Sequence, residues 1–192
     1  GVQTCALPIS GAATFFKADT GEVSCLDFIP PAPAGLNPPA MDCKMAETGP
    51  LSPCTPGSLA GWYGLQSRYG KLSFSDVLQP AIKLATDGYP ISKFFVAETI
   101  DHAGRIKDSE WHRVFRPENG WKPGDILKLP DLARTLGKIA DEGIGYLYGG
   151  ELGDKLATHM ASVGGVIAMS DLEAVDPSLE APVKTTYRDR LV

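Results

Sequence analysis

A chain of 192 residues, 43% hydrophobic and 21% charged, carries enough apolar material for one folded domain and is not composed like a disordered segment. Its formal net charge of -5, with no basic stripe, argues against binding a phosphate backbone, because that affinity comes from clustered Lys and Arg. The longest apolar runs, such as Val166-Ile167-Ala168-Met169, fall far short of the roughly twenty residues of a membrane-spanning helix.

The first residues stand apart. Gly1-Val2-Gln3-Thr4-Cys5-Ala6-Leu7-Pro8-Ile9 resembles the in-frame translation of a sequencing-library adapter and lacks the basic start of an export signal. Residues 1–10 are therefore set aside, and 11–192 are expected to be a partial chain, incomplete at both ends. From Ala13 to Phe28, two runs rich in β-branched and aromatic residues flank Asp19-Thr20-Gly21-Glu22, which predicts a β-hairpin. Ile29 to Pro56 is dense in proline and without period, so it is expected to be an irregular loop. Pro56-Gly57-Ser58 then starts a helix carrying Leu59, Trp62, Tyr63, Leu65 and Tyr69 that ends at Gly70.

A second helix, capped by Ser73 or Ser75, presents Val77, Leu78, Ala81, Ile82, Leu84 and Ala85 and stops at Gly88. Pro90 and Ser92 lead into a third, through Phe94, Phe95, Ala97 and Ile100. Glu110 to Pro130 reads as a loop anchored by Trp111, Phe115 and Trp121, with a turn at Pro123-Gly124. Pro130 to Gly143 and Glu151 to Val163 supply two further helices, Ser170 to Glu173 a short capped turn, and Val183 to Val192 the start of a strand. One hairpin, five helices and a terminal strand make an α+β arrangement. Its sheet is too small for its helices, so further strands are expected from outside this sequence.

Generic catalytic and metal motifs are missing. There is no G-x-S-x-G, H-E-x-x-H or Walker loop, and the glycines at 143, 145, 149 and 150 follow helices, as caps do. His102, His112 and His159 lack acidic or Cys partners at ligand spacing, and the cysteines show no zinc pattern. Cys25 reads as a small core residue. Cys43 and Cys54 share the Pro-rich loop at a separation that permits a disulfide without requiring one.

The informative signal is a series of collinear short motifs. Pro56-Gly57-Ser58-Leu59-Ala60-Gly61-Trp62, Arg68-Tyr69-Gly70-Lys71-Leu72, Leu78-Gln79-Pro80-Ala81-Ile82-Lys83-Leu84-Ala85-Thr86-Asp87-Gly88-Tyr89-Pro90, Leu129-Pro130-Asp131-Leu132-Ala133, Tyr146-Leu147-Tyr148-Gly149-Gly150-Glu151-Leu152 and Gly164-Gly165-Val166-Ile167 with Ser170-Asp171-Leu172 follow in order. Together they resemble the large subunit of γ-glutamyltranspeptidases over Thr14 to Arg188. That resemblance implies part of an αββα N-terminal-nucleophile hydrolase sandwich, in which a proenzyme cuts itself to expose a Thr on the small subunit. The α-amine of such a Thr serves as the base for its own hydroxyl. The family moves a γ-glutamyl group from glutathione or a related amide to water or an amino acid. No catalytic residue is expected within this sequence, since the nucleophile belongs downstream of Val192, and Thr185 and Thr186 read as strand residues.

One position departs from the family pattern. Where typical members follow the hairpin with an Arg-Glu pair and then x-Ala-Pro, this chain has Phe28-Ile29-Pro30-Pro31-Ala32-Pro33. Ile29 thus matches the Arg that binds the donor's α-carboxylate as a bidentate partner, and Pro30 matches the Glu. An aliphatic side chain cannot make those charge-assisted hydrogen bonds. Either another residue supplies the carboxylate contact, or the donor is not a γ-glutamyl compound, as in related acylases. A non-catalytic helical binding module is the rival from another class. The resemblance implies no metal or organic cofactor. The implied partners are the small subunit of the same precursor and a small amide substrate, and export to the periplasm or cell surface is the family habit.

Overall fold

The computed structural model describes residues 11–104, 106, 109–115 and 119–191, without the side chains of residues 40, 43, 46 and 191. In chain order its elements begin with strands β1 (Ala12–Lys17) and β2 (Glu22–Asp27), a 3-10 turn at Pro38–Ala40, and helices α1 (Cys43–Glu47), α2 (Ser58–Tyr69) and α3 (Phe74–Asp87). Strand β3 (Tyr89–Pro90), helices α4 (Lys93–Ala103) and α5 (Ser109–Phe115), strand β4 (Ile126–Leu127) and helix α6 (Pro130–Glu142) follow. A 3-10 turn at Ile144–Tyr146, helices α7 (Glu151–Ser162) and α8 (Met169–Glu173), and strands β5 (Ser178–Glu180), β6 (Thr186–Tyr187) and β7 (Arg190–Leu191) complete the order. Two compact units result: the residues up to Ser73 together with those from Ile144 on, and Phe74–Gly143.

In the first unit β1 and β2 pair antiparallel with Thr14 opposite Cys25 and Phe16 opposite Val23. The turn between them needs the positive φ of Gly21, +69°, and closes with Gly21 N–H donating to the Lys17 carbonyl at 2.8 Å. β5 adds to the other edge of β2, Leu26 opposite Leu179, giving the order β1-β2-β5. Strand alternation then divides the residues between two faces. Leu26 is wholly buried and the Phe15 ring packs tilted against Tyr69 with centroids 4.5 Å apart, so α2 covers this face. Burying a leucine so completely contributes about 1.5–3 kcal/mol. The opposite face carries Thr14, Phe16, Val23 and Cys25, and Phe16 remains 65% exposed. A second cluster forms where α7 and α8 meet, from Met160, Ile167 and Leu172 with Tyr148, Leu156 and Met169 packed around them.

In the second unit α3 and α6 lie against each other, burying Leu78, Ala85 and Ile139. Leu129 N–H donates to the Ala85 carbonyl at 2.9 Å where the chain enters α6. β3 and β4 form a two-stranded ribbon around buried Leu127. Ser92 caps α4 by accepting from Phe95 N–H at 3.0 Å.

The hairpin and the five long helices stand where the sequence places them, and three expectations are corrected. The Ile29 to Pro56 loop contains α1, which Asp42 caps by accepting from Met45 N–H at 2.8 Å, a start signal hidden among prolines. The Glu110 to Pro130 loop opens with the last turns of α5, whose apolar Trp111, Val114 and Phe115 cover too short a stretch to register as a period. Of the two cap candidates for α3, Ser73 directly precedes the helix and Ser75 lies inside its first turn, and Pro80 sits in the helix interior, where it gives up one backbone bond. The tail is a hairpin of β6 and β7 turning through Arg188 and Asp189 at φ 49° and 60°, while the strand that joins the main sheet is the three-residue β5. The Cys43–Cys54 disulfide that the sequence permits without requiring involves one side chain outside those described, and Cys54 itself is free and exposed; everything expected of residues 1–10 also lies outside the described residues.

Candidate functional site

Ile29 and Pro30 lie two and three residues past the end of β2, where sheet pairing stops. The last ladder position is Asp27, opposite Ala12 and Ser178, and Phe28 N–H makes one further bond, to the Gly11 carbonyl at 3.0 Å. Ile29 N–H then donates to Asp27 Oδ1 at 2.9 Å, a local turn that bends the chain away from the sheet. The Ile29 side chain is 63% exposed, Pro30 is half-buried, and Pro33 is buried.

The start of α2 holds this bend from beneath. A Cβ on Gly61 would overlap the Phe28 ring, and one on Gly57 would overlap the Phe28 carbonyl and stand 2.7 Å from Pro30 Cδ. The two segments therefore touch where only glycine leaves room. Gly57 also occupies the N-cap position and has no side chain with which to cap. The first-turn donor Ala60 N–H is taken instead by the Tyr148 hydroxyl at 3.2 Å, which itself donates to the Pro56 carbonyl at 2.9 Å. Burial pushes the Tyr148 phenol above its ordinary pKa, with the Ala60 N–H pulling the other way, so it stands as a neutral donor and acceptor. Thr55 Oγ1 and Ser58 Oγ are buried in the same turn without a hydrogen-bond partner among the described residues.

Farther along, Asp171 accepts from Ala34 N–H through Oδ1 and from Ala168 N–H through Oδ2, both at 2.8 Å. One carboxylate thus caps α8 and ties down the backbone five residues past Ile29. A cleft of about 240 Å³ opens beside α2, lined by Tyr63, Ser67, Arg68, Ile144 and Asp176 among others. The second unit has a larger cleft of about 580 Å³, rimmed by Glu110, Arg113 and Asp131, which pair with one another. Contrary to the sequence reading, His102 has an acidic partner one helical turn away, Glu98 at 3.2 Å, and His112 contacts the Ile106 carbonyl at 2.7 Å, so both are engaged locally. Among the described residues no group of three His, Cys, Asp or Glu side chains converges as a metal site, and no helix is long and apolar enough to cross a membrane. Tyr148 and Asp171 appear in the sequence only as members of short motifs. Nothing near them in the chain signals partners 88 to 137 residues away.

The profile of the gamma-glutamyltranspeptidase family matches residues 10–192. Among curated proteins the chain is 33% identical to glutathione hydrolase proenzyme 2 of Schizosaccharomyces pombe, over 75% of this chain and 24% of that protein. It is 36% identical to the ACY 1 acylase proenzyme of a Pseudomonas strain, over 73% of this chain and 25% of that one. Among solved structures, the gamma-glutamyltranspeptidase of Helicobacter pylori superposes with a TM-score of 0.89 at 29% identity, covering 95% of this chain and 55% of the other. The chain therefore spans about a quarter of the length of these curated relatives, and its α+β fold is that of the corresponding part of the Helicobacter pylori structure.

Proposed function

The chain belongs to the gamma-glutamyltranspeptidase family, and we propose that it forms part of the large subunit of an enzyme that hydrolyses or transfers an acyl group from a small amide through the N-terminal Thr of a small subunit cut from the same precursor. The observation that carries this reading is the family match across residues 10–192. The sheet supports it physically. One face is covered by α2, and the other leaves Phe16 65% and Val23 37% exposed, an apolar surface suited to the sheet of a companion subunit.

In the typical member an Arg at the position of Ile29 would clamp the α-carboxylate of a γ-glutamyl donor. Here the exposed side chain at that bend is aliphatic and Pro30 replaces the acidic neighbour, so the γ-glutamyl reading carries a weakened carboxylate clamp. Ile29 also favours a second reading, in which the donor is an acyl amide without an α-carboxylate, as an acylase would take. The complete reading frame, expressed and purified, tests both. Self-cleavage that leaves a Thr at the new N-terminus is expected, and a product with no such residue removes the enzymatic reading. Comparing a γ-glutamyl anilide with its analogue lacking the α-carboxylate separates the donors. A kcat/KM ratio far above one favours the γ-glutamyl donor, and a ratio near or below one favours the acylase.

A further inference from the structure

We infer that Tyr148 and Asp171 are positioning residues that set where position 29 meets the acyl donor, an inference that rests on the reading of Ile29 as donor-facing. Past Asp27 the sheet no longer holds the chain, and the turn at Ile29 N–H is made with Asp27, a residue of the same bend. What fixes that bend in space comes from elsewhere in the sequence. Phe28 and Pro30 rest on Gly61 and Gly57 at contacts too close for a Cβ, so any shift in the first turn of α2 is passed directly to Ile29.

That first turn is fixed by Tyr148. Its hydroxyl bridges Pro56 and Ala60, one residue before and three after Gly57, and takes the role that a capping side chain at Gly57 would otherwise fill. Asp171 fixes the other side of the bend by holding Ala34 N–H at 2.8 Å, while its second oxygen is anchored on Ala168. Ile29 therefore sits between two tethers, each made by one side chain reaching backbone far away in sequence. A group held in this way moves when one tether is cut, even though the fold persists. Displacing a substrate-contacting group by about 1 Å can cost up to 10²-fold in rate.

The test is a double-mutant cycle in the full-length, self-processed enzyme, read as donor KM and as kcat of the deacylation half-reaction. Tyr148→Phe keeps the ring and removes the hydroxyl, and it should raise donor KM about fivefold or more with deacylation kcat within about twofold. Ile29→Ala should change donor KM on its own, and the two substitutions together should be non-additive because one acts through the other. Additive effects, or a lowered melting temperature with donor KM untouched, would make Tyr148 merely structural and overturn the inference. Asp171→Asn, which keeps one acceptor oxygen, provides the same cycle if Tyr148→Phe does not mature. Failure of both to mature where the unsubstituted enzyme does would also overturn it. An Ile29→Ala enzyme with unchanged donor KM would instead remove the donor-facing reading itself, an outcome distinguishable from additivity.

Discussion

The bend at residues 28–34 and the α3/α6 pair are held by opposite means. At the bend, the Phe28 carbonyl and ring press on Gly57 and Gly61, Asp171 holds the segment at Ala34, and Tyr148 holds the turn of α2 beneath it, both from far away in sequence. In the helix pair, Leu78, Ala85 and Ile139 make a small apolar seam, and ion pairs such as Lys83 with Asp87 and Lys138 with Glu142 run along the exposed sides. The first arrangement specifies where one side chain sits and tolerates no added atom. The second specifies only that two helices pack, and it leaves room for change.

The same substitution made in the two regions exposes that difference most strongly. Gly61→Ala in α2 drives a methyl into the Phe28 ring and should destabilise the full-length enzyme by about 2–3 kcal/mol, read as a lowered urea midpoint. Tyr148→Phe leaves Ala60 N–H and the Pro56 carbonyl without their partner and should cost about 1–2 kcal/mol near neutral pH. Because burial raises the folded phenol's pKa, its contribution is complete below the unfolded value near 10 and is lost as pH rises through the higher folded value. The alkaline limb of stability should therefore flatten in Tyr148→Phe, and an unchanged limb would show that the phenol is not held as described. Gly137→Ala in α6 meets nothing within 4 Å and needs no positive φ, so it should stabilise by about 0.5–1 kcal/mol. The smallest effect belongs to Lys83→Ala, which removes an exposed i,i+4 pair and should leave the melting temperature unchanged.

The hairpin and the long helices were legible because each is bounded by local chemistry. Gly21 closes the turn, Ser92 caps α4, and Gly88 and Gly143 end α3 and α6 at positive φ. The elements missed are short or owe their form to distant partners. β5 has three exposed residues and becomes a strand only because β2 is beside it, and α5 is seven residues long. At the candidate site, Ile29 and Pro30 stood out by resemblance, since a departure from a family pattern is visible in one line of sequence. The tethers were not legible: a Tyr before a helix and an Asp within a capped turn have ordinary local explanations, and their second partners appear only in three dimensions.

Position 29 is proposed to meet the acyl donor's α-carboxylate, and the side chain placed there tests this most directly. In the complete enzyme, Ile29→Arg should lower the KM for a γ-glutamyl anilide about tenfold or more, the effect of restoring a charge-assisted bidentate contact to the α-carboxylate, and leave the analogue without that carboxylate unaffected. A γ-glutamyl KM that is the same for the unsubstituted enzyme and the Ile29→Arg variant would contradict it.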